Sequence, residues 1–294
     1  MIALSQCSQN IQYLRWIPSE SGPLITQFGS FPIKKTGGNP LSINDIFHQI
    51  NDEVKESPPR FHVSLDHGQV HISQSYIMNG FDEVLEWQLQ QRFDPLFNET
   101  YDTYHYPNEK NNTALGFHIK KSLKMGIIDA VKSLDGEIRS INVGIFSAEM
   151  GARQWFHANK FKSYLIWKLG KGHMDHVLAV EAGEFQSLGI IKRFKGTAKL
   201  QQAYGDTKKA QLLADQMSLY CQGKLNEFND YERVFAYNCV GSTKEIKQVS
   251  ESTIANLVLL NPFQVLELSS EKQVNPFKGT TFAETGAAFR GVDV

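Results

Sequence analysis

The sequence predicts a mixed α/β protein built from two related lobes. Strands and helices alternate along the chain with short connections, and a strand, turn and strand that open such a series occur twice, at Ile2 and at Val177. The chain has 294 residues, of which 41% are hydrophobic and 11% aromatic, so it is long enough to bury a substantial core. Together these observations favour a duplicated fold.

The composition argues against several functional classes. Lys and Arg total 30 against 31 for Asp and Glu, so the formal net charge of −1 predicts no general attraction to nucleic acid. The three cysteines, Cys7, Cys221 and Cys239, lie far apart and indicate neither a disulfide framework nor a zinc site. No apolar run reaches the roughly 18 residues that span a bilayer, and the start lacks the basic region of a signal peptide. We therefore expect a cytoplasmic protein that does not insert into a membrane itself.

The first half of the chain predicts a β-meander, a helix and a smaller αβ unit. Three strands are expected within residues 2–31, and a helix is expected to begin after an N-cap at Ser42. Apolar and polar residues alternate over two strands within 61–77, which predicts a β-hairpin. The apolar spacing of 81–93 predicts an amphipathic helix that Pro95 ends.

The second half is predicted to begin with the element Val177–Gly196, whose turn contains Glu181-Ala182-Gly183. The preceding Gly170-Lys171-Gly172 is interpreted as a simple turn, since the frame of a P-loop is absent. A buried strand at Arg233–Asn238 leads into Cys239-Val240-Gly241, and the small residues of Thr281–Gly291 predict a closing helix that ends at a glycine.

Three stretches carry a resemblance to a known family. Residues 81–93 look like the helix that runs into the Ile-Pro-Phe turn of PilM proteins, here Asp94-Pro95-Leu96, and 210–222 are similar to their Glu-Ile-x-Arg-Ser helix. The end, Phe-Ala-Glu-Thr-Gly-Ala-Ala-Phe-Arg-Gly over 282–291, is similar to their closing Ala-x-Gly-Leu-Ala-Leu-Arg-Gly. Over almost the entire chain, the sequence thus resembles the PilM family of cytoplasmic pilus-assembly proteins, whose relatives include MshI and FtsA.

The resemblance implies an α/β protein with the actin-like ATPase fold, in which two ribonuclease H-like lobes carry a small inserted αβ subdomain. Residues 1–60 and 136–172 would form the first lobe, 61–135 the inserted subdomain, and 173–294 the second lobe. It also implies a protein partner, because relatives hold a short cytoplasmic peptide of an inner-membrane protein in a groove beside that subdomain. The protein would then be peripheral at the inner membrane through its partner. Whether it also forms a homodimer is left open by the resemblance.

In that family the ATP site has three turns, and each of them is degenerate here. The first phosphate turn, normally Asp-x-Gly-Ser, reads Ser5-Gln6-Cys7-Ser8, and the second, normally Asp-x-Gly, reads Glu181-Ala182-Gly183. The adenosine turn, normally a run of glycines, reads Asn238-Cys239-Val240-Gly241. Gly286 in the closing helix is counted with these cleft positions.

These replacements predict a pseudo-ATPase. Backbone N–H groups must approach phosphate closely, which glycine allows and a Cβ obstructs, and short carboxylates hold Mg²⁺. Cys7 and Cys239 stand where the family has glycine, which should close both turns to nucleotide. Because phosphoryl transfer depends on positioning, a displacement of about 1 Å costs on the order of 10²-fold in rate. The sequence therefore predicts a non-catalytic scaffold or adaptor with no catalytic residue, no metal ligand and no cofactor.

Two other interpretations stay open. A weakly ATP-binding actin-like ATPase or sugar-kinase relative would need intact Asp-x-Gly turns and an acidic base, and a protein kept for an unrelated interaction would use the fold as support alone. Glu181 is either a remnant ligand of a metal or water, or a solvated carboxylate at a strand end. Similarly, His62, His67 and His71 would form a metal site only if their rings converge.

Overall fold

Strands and helices alternate along most of the chain. The structure, a computed structural model, describes residues 1–20, 22–34, 40–77, 87–89, 91, 93–108, 112–240, 243–269 and 274–289. Its strands are β1 (Ile2–Cys7), β2 (Asn10–Ser19), β3 (Gly22–Pro32), β4 (Arg60–Leu65), β5 (Val70–Tyr76), β6 (Tyr101–Asn108), β7 (Thr113–Lys120), β8 (Glu137–Val143), β9 (Ser163–Leu169), β10 (Met174–Glu181), β11 (Glu184–Phe194), β12 (Thr197–Gly205), β13 (Arg233–Asn238), β14 (Leu257–Leu259) and β15 (Glu267–Leu268). Its helices are α1 (Ile43–Val54), α2 (Pro95–Thr100), α3 (Lys121–Lys132), α4 (Gly144–Phe156), α5 (Thr207–Cys221), α6 (Thr243–Ser250), α7 (Pro276–Gly279) and a closing 3-10 helix (Thr280–Phe289).

Two six-stranded sheets repeat one strand order. The first runs β15-β3-β2-β1-β4-β8 and the second β12-β11-β10-β9-β13-β14. In the first sheet the antiparallel strands β3, β2 and β1 are followed by β4 and β8, which run parallel to β1. In the second sheet the antiparallel strands β11, β10 and β9 are followed by β13 and β14, which run parallel to β9. Strand β9 in the second sheet therefore corresponds to β1 in the first. The predicted pair of related lobes is therefore confirmed. The second sheet includes β9, which the predicted boundary at residue 173 assigned to the first lobe.

A separate three-stranded sheet has the order β5-β7-β6 and spans residues 70–120. The predicted hairpin within 61–77 is wrong, because β4 pairs with β1 and β8 while β5 pairs with β7. Burial explains the difference: β4 is buried on both faces after its first residue, as a central strand must be, whereas β5 is buried only at Val70 and Ile72. The strands of the inserted sheet thus come from a shorter range of residues than the predicted insertion at 61–135.

Helix α1 begins at the predicted N-cap. The Ser42 hydroxyl accepts a hydrogen bond from the Asp45 amide, and the Asp45 carboxylate accepts one from the Ser42 amide, which together form a capping box. The helix then buries Phe47, Ile50 and Val54 against the first sheet. Most of the predicted helix at 81–93 lies outside the described residues. Among the helices that the structure describes, none combines the length and the apolar character needed to cross a membrane.

The closing segment forms a 3-10 helix over Thr280–Phe289, and every one of its residues is buried. Phe289 stacks on Trp16 of β2 with ring centroids 4.9 Å apart. Gly286 lies against α4 so closely that a Cβ there would stand 2.3 Å from the Ser147 carbonyl oxygen and 2.6 Å from the Gly151 Cα. The glycine is therefore required for packing between two backbones.

Gly286→Ala should lower the free energy of unfolding, measured by urea denaturation, by about 1–3 kcal/mol, because two backbone segments must move apart. Gly68→Ala is the matched control, since a Cβ there meets only an Asp66 carboxylate oxygen at 3.6 Å. It should change the free energy of unfolding by less than about 0.5 kcal/mol. Equal effects of the two substitutions would contradict the close packing at Gly286.

Candidate functional site

A polar cleft of about 260 Å³ lies where the two large sheets face each other. It is bordered by the carboxyl ends of corresponding strands, namely β1 and β4 of the first sheet and β9 and β13 of the second. Ser8, Asp66, Gly170 and Cys239 each follow one of these four strands. The cleft thus occupies the place at which parallel α/β sheets commonly bind ligands.

Lys168, near the end of β9, occupies the floor of this cleft. Its side chain is only 4% exposed, and its Nζ lies 2.9 Å from Asp66 Oδ1 and 2.7 Å from Glu284 Oε1. The Tyr237 hydroxyl donates a further hydrogen bond of 2.7 Å to Glu284 Oε1. Burial opposes the charge on Lys168, but Cys239, Glu284 and Asp66 together hold its pKa well above the ordinary value of a lysine. A permanently charged ammonium therefore sits between two carboxylates.

The turn that follows Lys168 is held by a hydrogen bond between its own residues. The Gly170 amide donates to Asp175 Oδ1 at 3.3 Å, and a Cβ on Gly170 would stand 1.8 Å from the Met174 carbonyl oxygen. Asp175 is fully buried and is held by Arg193 Nε at 2.6 Å and Trp167 Nε1 at 2.7 Å. Because its hydrogen bond is made within the turn, the Gly170 amide is not directed at a ligand.

The first and third predicted turns meet across the cleft. Cys7 Sγ donates to the Asn238 carbonyl oxygen at 3.7 Å, which brings the Cys7 thiol beside Cys239. The contact with Cys7, followed by burial, raises the pKa of Cys239 well above its ordinary value. The Asn238 Oδ1 in turn accepts from the Val240 amide at 2.8 Å. The structure thus brings Cys7, Ser8, Asn238 and Cys239 together, and both thiols fill space between the turns.

The other predicted positions in these segments lie at varying distances from the cleft. Ser5 is buried inside the first sheet, where it faces Gln12 on one side and Ser64 on the other. Gly286 packs against α4 rather than lining the cleft. Gly241 lies outside the described residues.

Glu181 and Gly183 are not at the cleft, which corrects the predicted second phosphate turn. Glu181 pairs with Ser163, at the start of β9, so it lies at the opposite end of the second sheet. There its carboxylate forms an ion pair with Lys209, and the Gly183 carbonyl oxygen accepts from Arg153 Nη2 at 2.7 Å. Neither residue can act together with Cys7 or Asn238.

The order of strands in the second sheet explains why Glu181 and Gly183 lie away from the cleft. The apolar run Val177–Val180 belongs to the second strand of its sheet, not the first. By the correspondence between the sheets, the counterpart of the β1–β2 turn is the β9–β10 turn, which is preceded by Lys168-Leu169-Gly170. The sequence signal was available, since this triplet keeps the glycine of Asp-x-Gly and replaces the acid by lysine.

Two histidines also meet across the cleft. The rings of His67, after β4, and His176, on β10, have centroids 4.6 Å apart. Burial, followed by the charge of Lys168, lowers the pKa of His176 from 6.5 to about 3, and burial also lowers the pKa of His67. Both rings are therefore neutral near pH 7.

The three histidines that the sequence suggested as a metal site do not converge. His62 lies in the first sheet, where its Nδ1 is 2.9 Å from Ser140 Oγ, and His71 lies on the inserted sheet beside His118, with ring centroids 5.4 Å apart. Within the described ranges, no three or more His, Cys, Asp or Glu side chains are grouped so that they could hold a metal ion.

An apolar groove of about 610 Å³ lies apart from the cleft. One wall is the face of the inserted sheet that carries Tyr104, Tyr106 and Phe117, and another is the face of α4 that carries Phe146 and Met150. Residues of β8, β10 and β11 complete it. The groove therefore lies where the inserted sheet meets both lobes.

The buried His176 predicts an acid-sensitive fold. Its pKa is lower in the folded protein than the unfolded value of 6.5, so the unfolded chain binds the proton first and stability is lost as the pH falls from 6.5 toward about 3. His176→Gln should reduce the loss of unfolding free energy between pH 7 and pH 5, measured with urea, by on the order of 1–2 kcal/mol. Identical losses in the variant and the parent protein would contradict this assignment.

Comparison with known proteins confirms the fold. No family model matches the chain, and no curated protein matches it. A chain of the solved PilM-PilN type IV pilus biogenesis complex is similar, with a TM-score of 0.63, 10% identity, and coverage of 100% of this chain and 98% of that one. The cytoplasmic domain of EpsL, an inner membrane component of the type II secretion system of Vibrio cholerae, gives a TM-score of 0.47, 12% identity, and coverage of 98% and 94%. The chain thus has the actin-like ATPase fold and is similar in structure to PilM.

Proposed function

We propose that this protein is a non-catalytic scaffold or adaptor that holds the cytoplasmic tail of an inner-membrane assembly protein. The observation that carries the proposal is the apolar groove between the inserted sheet and the two lobes. The groove is large enough for a short peptide segment, and the partner would keep the protein peripheral at the inner membrane. The structurally similar PilM chain comes from a complex with PilN in type IV pilus biogenesis, which supports a protein partner as occupant.

The walls of the groove favour an extended peptide with apolar side chains. Tyr104 and Tyr106 are 45% and 47% exposed and lie on one face of β6, so each offers a ring and a hydroxyl to a ligand. In the described part of the chain, β6 and β8 are the outer strands of their sheets. Ile141-Asn142-Val143 of β8 line the groove, so a peptide bound there would lie beside an outer strand, and strand addition is an established mode of peptide binding.

Charged residues border this apolar surface. Lys124 Nζ lies 2.7 Å from Asp102 Oδ2, and Arg153 forms an ion pair with Glu149 on α4. Lys124, Glu149 and Arg153 all line the groove, where they would orient the polar backbone of a peptide while the aromatic rings bind its side chains. The carbonyl oxygen of Gly183 holds Arg153 in this position.

The cleft supports the non-catalytic part of the proposal. Asp66 and Glu284 already bind the Lys168 ammonium, the Gly170 amide is bonded to Asp175, and the Cys7 and Cys239 thiols fill the two other turns. An ATPase or sugar kinase would need free amides and charge neutralisation at the transferred phosphate. Among the described residues that line the cleft, these groups are already bonded to one another, which supports the non-catalytic interpretation.

Photo-cross-linking tests the scaffold proposal. A benzophenone amino acid at position 104, in the groove, should cross-link in cells of the source organism to the cytoplasmic tail of a protein that stays in the membrane fraction after carbonate extraction. Placing a charge on the groove wall with Met150→Glu should reduce the yield about tenfold, because the charge must be desolvated when the peptide binds.

The matched control is position 194, since Phe194 is also an aromatic residue, 48% exposed, but lies on β11 and does not line the groove. Cross-linking there should give no membrane-protein adduct. Adducts of position 104 with soluble proteins alone, or equal adducts at both positions, would refute the proposed docking role.

A further inference from the structure

We infer that Lys168 is a tethered counter-ion, which takes the place of a divalent cation between Asp66 and Glu284 and joins the two lobes without any bound ligand. This inference concerns the cleft alone, so it stands or falls independently of the peptide groove.

The first support is the donor set around the ammonium. Asp66 Oδ1 and Glu284 Oε1 come from separate parts of the chain and converge on one point, at 2.9 Å and 2.7 Å from Lys168 Nζ. The side chains of Glu284 and Lys168 are 1% and 4% exposed, so water contributes little to their pair, whereas the Asp66 side chain is 37% exposed and closes the site on the side of the cleft. Carboxylate oxygens gathered in this way are the ligands that hard divalent cations prefer.

The second support is an oxygen that the ammonium does not satisfy. Glu284 Oε2 is buried and has no hydrogen-bond partner among the described residues. A Cβ at Gly144 would stand 2.4 Å from this oxygen, so a glycine at the start of α4 is what leaves room for it. The carboxylate pair therefore offers one more ligand atom than a lysine uses.

The third support is that these bonds cross between the lobes. Lys168 on β9 and Tyr237 on β13 belong to the second sheet, and both donate to Glu284. Glu284 is held on the first sheet, because the Ser64 hydroxyl of β4 donates to its carbonyl oxygen at 2.7 Å. Asp66, which follows β4, adds a second acceptor on that side. Removing the cation would leave the buried carboxylate of Glu284 and the partly exposed carboxylate of Asp66 close together on one side of the cleft without a counter-ion.

The Lys209–Glu181 ion pair differs from the Lys168–Glu284 pair in its exposure to water. In the Lys209–Glu181 pair the side chains are 29% and 30% exposed, so water screens both charges. Breaking a buried pair costs far more than breaking an exposed pair, because the remaining charge is left uncompensated in a poorly solvated site. Lys209→Ala is therefore the matched control for Lys168→Ala.

Cation rescue tests the inference by thermal denaturation. Lys168→Ala should lower the Tm by about 10 °C, since the carboxylates lose their counter-ion. Added MnCl₂ should restore about half of that loss in a saturable manner, because Mn²⁺ binds only the folded variant. The parent protein and Lys209→Ala should show no saturable rise, and Lys168→Ala/Asp66→Asn/Glu284→Gln should lose the response.

Three results would overturn the inference. A Tm of Lys168→Ala equal to that of the parent would mean that no uncompensated charge is created, and a lowered Tm without a response to Mn²⁺ would mean that the ammonium does not stand in a cation site. If Lys168→Ala gives no folded protein, Lys168→Ala/Glu284→Gln decides. Recovery of folded protein supports the inference, and failure to recover it overturns the inference.

Discussion

We infer that the relation between the lobes depends on the ion pair of Lys168 with Asp66 and Glu284, in addition to the apolar core that the two sheets share. Lys168 and Glu284 are buried, the pair joins the end of β9 in the second sheet to the end of β4 and the closing 3-10 helix on the first, and Tyr237 donates a further hydrogen bond to Glu284. A buried pair of this kind does little to stabilise a fold beyond what apolar packing could do, but it fixes geometry, because either partner alone is strongly unfavourable. In a duplicated fold the carboxyl ends of corresponding strands in the two sheets border one cleft, and here the side chain of Lys168 occupies that cleft.

The occupied cleft and the open groove suggest a division of roles within the chain. Around the cleft, the groups that would face a nucleotide bond to one another, as the Gly170 amide does with Asp175. The groove instead keeps half-exposed tyrosines and two outer strands available. On the account proposed here, the first region keeps the lobes fixed, so that the second presents a rigid surface to a peptide. Rigid surfaces bind peptides with less loss of conformational entropy.

The sequence predicted the duplicated fold and local features governed by neighbouring residues, such as the Ser42 cap of α1. Features set by pairing between distant segments were not predictable in this way. The apolar run Val177–Val180 predicts the first strand of its sheet and hence a phosphate turn at Glu181 and Gly183, but β9 holds that place because the strand order is set by pairing with distant segments. Lys168 was missed for the same reason, since its role depends on carboxylates about 100 residues away on either side. The groove is formed by the inserted sheet, α4, β8, β10 and β11, which come from distant parts of the chain, so it has no local signature in the sequence.

A thermal-shift titration with MgATP tests the central claim most directly, because a ligand that binds only the folded state raises the Tm by mass action. If Lys168 and the two thiols occupy the cleft as described, the Tm of the parent protein should stay constant up to millimolar MgATP. A saturable rise in the Tm would show that the cleft admits nucleotide and would contradict the account.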